Sequence, residues 1–336
     1  MSRAPPAARS RLRLARVASL IGWLLCAIAS GPAAAAADPL VMAVARLPLS
    51  LPLYVAEARG FLSAEDAPVR IVDCDYGRRC LERLLAGGAD LATVAVLPLV
   101  DSALRGERFG VLATIATTRN DTKIVTRRGS GIDAAAALVG RRVGTFVGTS
   151  AQYLLDLSLL AAGVDPATVQ VRALQPADAV GALRAREVDA LAVFEPYAWQ
   201  AMQALGSQAQ VITDRRLHVE PWSIVVSARV LPGRDAQLRA LCRALDRAMR
   251  FIAEQPDEAW AILGRRLGYD AAAVAAMRRD IDFALELRQS LLTSLEGQAR
   301  WALRGGHARG TMPNFLDYLV PGPLEAVRPD AVTVVR

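Results

Sequence analysis

A short polar turn made of Gly148, Thr149 and Ser150 is the part of this sequence whose residue types best suit chemistry. It follows the apolar run 143–147 and precedes a helical pattern of leucines that ends at Gly163. Glycine permits a sharp turn and Thr149 or Ser150 can cap the helix, whose free N–H groups and positive dipole end would face an anion. Each such contact stabilises an anion by about 0.3–1 kcal/mol. The turn therefore suits binding but not catalysis, and the same unit also occurs as plain scaffold.

Three other side chains near predicted strand ends have two interpretations each. Arg46 follows the first strand, where its guanidinium would bind a sulfonate or carboxylate in bidentate fashion or remain on the surface. Glu195 ends an apolar strand, where burial of a carboxylate is costly unless it faces solvent or a ligand. Trp222 would stack on a ligand or pack where the chain returns between domains.

Residues that support catalysis are scarce in this chain. His218 and His307 are the only histidines, and neither lies near a cysteine, serine or acidic pair at triad or metal-ligand spacing. The sequence has no phosphate-binding GxxxxGK[ST], no GxGxxG after the first strand and no HExxH. We predict no catalytic residue, no metal and no cofactor.

The first 37 residues resemble a secretory signal peptide. Five arginines precede the uncharged run 17–29, and small residues follow up to Ala37, near which we expect cleavage; a retained anchor is the alternative. Removal of this segment leaves 35 basic and 33 acidic residues, a nearly balanced charge. The sequence therefore predicts a periplasmic protein that does not bind nucleic acid.

Three cysteines lie outside that segment. Cys74 and Cys80 are six residues apart, and in an oxidising compartment they would form a disulfide that contributes about 2 kcal/mol; two free thiols are the alternative. Cys242 lies on an apolar helical stripe and is expected in the core.

Strands and helices alternate along the chain, which predicts α/β architecture with parallel sheets covered by helices. Strands are expected at 41–45, 69–72, 91–96, 111–115, 123–126, 142–146, 169–173, 190–194, 210–213 and 223–227. Only helices are expected afterwards, at 236–254, 256–267, 271–285 and 291–303. We predict two doubly wound lobes joined by two hinge crossings: lobe 1 from 38–118 plus 221–336, and lobe 2 from 119–220. The C-terminal helices would pack on lobe 1.

Ligands of open α/β sheets bind beyond the carboxyl ends of the strands, and in a two-lobed protein these ends face each other across a cleft. The predicted ligand-binding residues share that position. They are Arg46, Leu47, Ser50, Leu51, Gly77, Thr93, Val94, Thr117, Thr118, Gly148, Thr149, Ser150, Gln175 and Glu195.

Four segments in register resemble one family. They are LPLYVAEARGFL at 51–62, LLAGGADLATVAV at 84–96, LVGRRVGTFVGTSAQYLL at 138–155 and AGVDPATVQVRALQPADAVGALRAREVDALAVFEPYA at 162–198. Together they resemble the periplasmic solute-binding proteins of ABC importers for alkanesulfonates, taurine, nitrate and thiamine pyrimidine precursors. The resemblance implies a type II periplasmic binding protein that closes on its solute and delivers it to an ABC permease.

The resemblance also implies roles for individual residues. Gly148, Thr149 and Ser150 match the turn that holds an anionic head in such proteins, and Glu195 matches the acid of the family's WEP motif. Thr93 and the loop 46–51 match lining segments of the first lobe. Two departures are Phe194, where the family has tryptophan, and the apolar run 95–97, where many relatives have a polar residue.

The sequence thus predicts a monomeric periplasmic protein that captures a small organic anion, such as an alkanesulfonate, by hinge closure. The alternatives are a binding protein for a thiamine pyrimidine precursor, an enzyme on the same fold, and a periplasmic sensor that presents its ligand to a membrane receptor.

Overall fold

The computed structural model describes residues 1–2, 38–279 and 281–335. The predicted signal peptide and its cleavage point near Ala37 lie outside the described residues. The chain divides into two units, Met1–Asp38 and Pro39–Arg336, and the fold described below belongs to the second.

The first sheet contains six strands in the order β11-β4-β10-β3-β1-β2. The strands are β1 Leu40–Ala45, β2 Val69–Cys74, β3 Leu91–Ala95, β4 Phe109–Thr118, β10 Glu220–Ser227 and β11 Ile281–Asp282. Strand β1 runs parallel to β2 and β3, whereas β10 is antiparallel to both β3 and β4. The expectation of a purely parallel sheet is therefore wrong, because the chain returns from the second sheet and enters the first one in the opposite direction.

The second sheet contains five strands in the order β7-β6-β8-β5-β9. They are β5 Thr122–Arg127, β6 Arg142–Thr145, β7 Gln170–Ala173, β8 Ala190–Phe194 and β9 Ala209–Val211. Strand β6 is parallel to β7 and β8, and β5 is antiparallel to β8 and β9. The chain crosses between the sheets twice, at 119–121 and 212–219. This confirms the predicted α/β fold with two sheets and two crossings.

Twelve α-helices are found among the described residues. They are α1 Leu51–Ala58, α2 Phe61–Ala64, α3 Gly77–Leu85, α4 Val96–Leu104, α5 Ser150–Ala161, α6 Pro176–Arg184, α7 Tyr197–Leu205, α8 Asp235–Glu254, α9 Pro256–Leu267, α10 Ala271–Met277, α11 Gln289–Arg304 and α12 Gly322–Glu325. Helices α8 and α9 pack on α1, and α11 packs on α4, so the C-terminal helices pack on the first lobe as predicted. In the part of the chain that is described, no helix combines the length and apolar character needed to cross a membrane.

The predicted helix at 271–285 is wrong in its second half. Helix α10 ends at Met277, and Ile281–Asp282 forms the edge strand β11 beside β4. The sequence carries a reason for this, because Ile281, Phe283, Leu285 and Leu287 alternate with more polar or smaller residues, a period of two that suits extended chain.

Both members of the predicted disulfide are free thiols in the structure, so the bridge is absent from it. Cys74 is the last residue of β2 and is half buried, whereas Cys80 lies on the inner face of α3 and is fully buried. Burial raises the pKa of the Cys80 thiol, and the hydrogen bond with Cys80 lowers the pKa of Cys74. Cys242 is fully buried in α8, as expected.

Candidate functional site

A small cavity of about 20 Å³ lies where carboxyl ends of strands from the two sheets face each other. The first sheet and its helices contribute Leu47, Leu49, Tyr76, Gly77, Arg78, Ala95, Pro98, Glu220 and Trp222. The second sheet, its helices and the crossing contribute Asp121, Thr149, Ser150 and Phe194. This volume is close to what one bound water needs, so a solute enters only when the two lobes move apart.

The N-terminus of α5 forms one wall of this cavity. Thr149 is the N-cap: its hydroxyl accepts a hydrogen bond from the Ala151 N–H at 3.3 Å and donates one to the Phe146 carbonyl at 2.6 Å. The Gly148 N–H donates to Gln152 Oε1 at 2.8 Å. Because Thr149 and Ser150 both line the cavity, the positive end of the helix dipole faces it, as the sequence predicts.

Arg78 reaches across from the first lobe to this turn. Its guanidinium donates to the Gly148 carbonyl at 3.2 Å and pairs with Asp101 at 3.6 Å and Glu82 at 3.2 Å. Gly148 has φ +74°, and a Cβ at this position would lie 1.7 Å from an Arg78 nitrogen. The positive φ favours glycine here, and a side chain at this position would displace the end of Arg78. The place where Arg78 meets Gly148 and the N-terminus of α5, called the seam below, thus brings a guanidinium and a helix dipole to one side of the cavity, with Glu82 and Asp101 partly balancing the charge of Arg78.

Two buried glutamates near the cavity are fully paired. Glu195 Oε1 lies 2.7 Å from Lys123 Nζ, and its Oε2 accepts from the Trp199 N–H at 2.8 Å. Glu220 Oε1 accepts from the Val96 N–H at 3.1 Å, and its Oε2 lies 3.0 Å from His218 Nε2. Each carboxylate thus uses both oxygens within the protein.

Asp121 differs from these two acids. It is 6% exposed and lines the cavity, yet its Oδ1 has no hydrogen-bond partner among the described residues. Burial raises the pKa of Asp121 to about 8; the negative charges of Glu195 and Glu220 raise it too, and Lys123 opposes them. In these surroundings the carboxyl group is therefore mostly neutral at pH 7.

Among aromatic residues, Tyr76, Phe194 and Trp222 line the cavity. Tyr76 of the first lobe lies 6.4 Å from Phe146 and 6.1 Å from Phe194, measured between ring centroids, and both phenylalanines also contact Tyr197. Trp222 is buried, and its indole N–H donates to Ser50 Oγ at 3.3 Å. These rings give the cavity flat apolar walls beside its charged groups.

Some of the predicted site residues meet at the cavity. Leu47, Gly77, Thr149 and Ser150 line it. Two more, Ser50 and Gly148, contact the lining residues Trp222 and Arg78 respectively.

The structure places the other predicted residues in scaffold positions or on the surface. Leu51 and Val94 lie in the core, Thr93 Oγ1 accepts from the Ala45 N–H, and Thr117 and Thr118 are paired within β4. Arg46 and Gln175 are exposed, and Glu195 is held by Lys123. A role for any of these side chains toward a ligand stays a prediction.

Sequence reasoning missed Arg78, Asp121 and Glu220. Arg78 directly follows Gly77 in the predicted strand-end segment, which is the signal that was available. Asp121 lies on the first crossing and Glu220 is the first residue of β10, directly after the second one; the sequence pattern indicates hinges there but not the direction of the side chains.

A second, more open groove lies on the second lobe. Arginines 127, 128, 141, 142 and 186 line it, and Arg142 pairs there with Asp189 at 2.8 Å. It adjoins the amino end of β6, the edge opposite to the Gly148 turn, so it does not fit the strand-end rule for ligands. No group of three or more His, Cys, Asp or Glu within the described ranges is arranged to hold a metal ion.

Comparisons with known proteins give one family and several similar folds. A family model described as NMT1/THI5 like matches residues 48–259. An Escherichia coli (strain K12) protein, named as a putative aliphatic sulfonates-binding protein, is 23% identical over 255 residues, which are 75% of this chain and 79% of that protein.

Two solved structures are similar in fold. The alkanesulfonate-binding protein SsuA from Xanthomonas axonopodis pv. citri bound to MOPS has a TM-score of 0.74 and 19% identity, covering 85% of this chain and 99% of that one. The desulfurization enzyme DSZB has a TM-score of 0.64 and 18% identity, covering 87% of this chain and 99% of that one.

Proposed function

Because the chain belongs to the NMT1/THI5-like family, we propose that it is the solute-binding protein of an ABC importer and captures a small organic anion such as an alkanesulfonate. The observation that carries the proposal is the cavity between the two lobes, where the N-terminus of α5 and the Arg78 guanidinium meet. We place the anionic head at this seam.

The geometry of the seam explains how binding would be coupled to closure. The helix N-terminus belongs to the second lobe and Arg78 to the first, so an anion between them contacts both lobes. A charged hydrogen bond from a guanidinium is stronger than a neutral one, and its net contribution is about 1.5–3 kcal/mol. A bound anion therefore stabilises the closed arrangement, which is the state that a permease would recognise.

We further propose that the protein binds its solute without converting it. Neither a cysteine nor a histidine is among the residues that line the cavity in the described part of the chain. His218 and His307 lie beside Glu220 and Asp156, at 3.0 Å in each case. Catalysis by a nucleophile and an adjacent base would need such side chains in the cleft.

The place of action follows from the same proposal. The arginine-rich and apolar N-terminal sequence would export the chain to the periplasm, where it would work as a monomer that docks on its permease after closure.

One experiment tests the proposal directly. Thermal melting of the chain 38–336 is measured with alkanesulfonates of two to eight carbons, taurine, nitrate and an aminopyrimidine. A ligand at 100 times its Kd stabilises the folded state by about 2.7 kcal/mol, so the melting temperature rises with the correct solute. Arg78→Ala should reduce the rise to about half, whereas Arg79→Ala should keep it, because Arg79 pairs with Glu82 and does not line the cavity. Absence of any rise would contradict the proposal.

A thiamine pyrimidine precursor is the second candidate solute. The flat aromatic walls at Tyr76 and Phe194 and the unpaired carboxyl of Asp121 favour an amino-substituted ring. In that case the aminopyrimidine alone would raise the melting temperature.

A further inference from the structure

Asp121 carries the one buried carboxyl oxygen near the cavity that has no partner among the described residues. Its neighbours Glu195 and Glu220 show the contrast, because all four of their oxygens are paired. Asp121 lies directly before β5, on the crossing between the lobes. Because Asp121 lines the cavity, a solute bound there would contact it.

An unpaired buried acceptor has an energetic cost. Removing a polar group from water without a compensating hydrogen bond destabilises the folded state, and a charged group does so more strongly. A group aimed into a ligand cavity recovers this cost when the ligand supplies the missing donor. The same group rejects ligands that lack the donor, since it then stays unpaired.

We propose that Asp121 selects a solute with a nitrogen-bound hydrogen that points toward its carboxyl group. The inference rests on the proposed function for the position of the anionic head at Arg78 and α5. Within that function, the preferred solute is a short aminoalkanesulfonate, with the sulfonate at the seam and the ammonium at Asp121. The nearby Lys123 does not replace this donor, because its Nζ is bound by Glu195 and the Asn120 carbonyl.

The charges around Asp121 predict the pH dependence of binding. The groups that act on it are Glu195, Glu220 and Lys123, with His218 beside Glu220 and Arg78 across the cavity. The pKa of Asp121 is about 8 in these surroundings, so an ammonium must displace a proton at pH 7. Affinity for an aminoalkanesulfonate therefore increases as the pH rises from 6 to 8, by up to about tenfold per unit. The affinity for a plain alkanesulfonate should not change over this pH range.

The test uses pairs of compounds that differ only in the amine. Isothermal titration is carried out with taurine against ethanesulfonate and with 3-aminopropanesulfonate against propanesulfonate. The proteins are wild type, Asp121→Asn and the control Asp214→Asn, whose carboxylate is exposed and pairs with Arg216. Melting without ligand checks that each variant is folded.

We expect wild type and Asp214→Asn to prefer the amine-bearing member by at least tenfold. In Asp121→Asn this preference should fall below threefold, and binding of the plain alkanesulfonates should remain. Titration in buffers of different ionisation enthalpy should show proton release with taurine in wild type and Asp214→Asn but not in Asp121→Asn.

Two results overturn the inference while leaving the proposed function in place. One is a wild-type protein that binds plain alkanesulfonates at least as tightly as their amino analogues, and the other is an unchanged preference in Asp121→Asn. If no sulfonate binds but an aminopyrimidine does, and Asp121→Asn loses it, the sulfonate proposal fails and the assignment of Asp121 stands. If no compound of either kind binds, both fail.

Discussion

Replacement of Gly148 by alanine is expected to weaken anion binding by displacing Arg78. The new Cβ would lie 1.7 Å from an Arg78 nitrogen, and the end of that flexible side chain is what must move. The variant then loses the hydrogen bond from Arg78 to the Gly148 carbonyl, which spans the two lobes at 3.2 Å. Alanine at φ +74° also adds backbone strain of about 1–2 kcal/mol.

A matched control separates these two effects. Gly163 ends the same helical segment at φ +72°, and a Cβ added there would have no other atom within 4 Å, so Gly163→Ala has the strain without the collision. Both variants should lose about 1–2 kcal/mol of unfolding free energy from strain. Gly148→Ala should lose about 1 kcal/mol more, since the lost bond involves a charged but partly exposed side chain.

The assay combines urea denaturation with isothermal titration of the best solute. Displacement of Arg78 should weaken the affinity of Gly148→Ala about tenfold, equivalent to about 1.4 kcal/mol, whereas Gly163→Ala should bind like wild type. The double variant with Arg78→Ala and Gly148→Ala should bind the solute about as tightly as Arg78→Ala alone, because the two changes remove the same contact. Equal affinities of Gly148→Ala and Gly163→Ala would refute the role of Arg78.

Three further predictions concern stability and closure. Lys123→Met leaves Glu195 buried without its partner and should lower the unfolding free energy by about 3–5 kcal/mol in urea denaturation, whereas Arg216→Met, which breaks an exposed pair, should cost under about 1 kcal/mol. His307→Ala removes the contacts with Asp156 and Gln152 that join the C-terminal block to α5, so the affinity for the solute should fall although no residue lining the cavity is changed. Arg309→Ala is the control. If the solute affinity and the small-angle scattering curve are unchanged in both variants, the prediction is contradicted. Asp121 is protonated more readily in the folded state, so its contribution to stability is present below about pH 4 and is lost as the pH rises toward 8. Relative to Asp121→Asn, the unfolding free energy of the wild type should fall by up to about 1.4 kcal/mol per pH unit over this interval. Urea denaturation at several pH values measures this, and an equal pH dependence of the unfolding free energy in both proteins would contradict it.

Much of the fold follows from local signals. Alternation of apolar strands and helices predicted both sheets and the return crossing, and the Gly148 turn was visible because strand, glycine and cap lie side by side in sequence. Strand directions depend on tertiary pairing and were not visible, which is why the antiparallel entry of β10 into the first sheet was missed. Strand β4 also extends to Thr118, because β10 pairs with it beyond the apolar run.

The site was less predictable for a physical reason. A strand-end position indicates where a residue lies but not whether its polar atoms are already paired. Glu195 is held by Lys123, which lies 72 positions away in sequence, so this acid uses its oxygens within the protein. Asp121 Oδ1 has no such partner among the described residues, and only the three-dimensional arrangement of the crossing reveals this.

The most direct test of the central claim is a crystal structure of the chain 38–336 with its tightest-binding sulfonate. The account predicts the sulfonate oxygens within hydrogen-bond distance of the Arg78 guanidinium and of the backbone N–H groups at Thr149 and Ser150, between the two lobes. A sulfonate bound elsewhere, such as in the arginine groove beside Arg142, with this cavity empty, would contradict it.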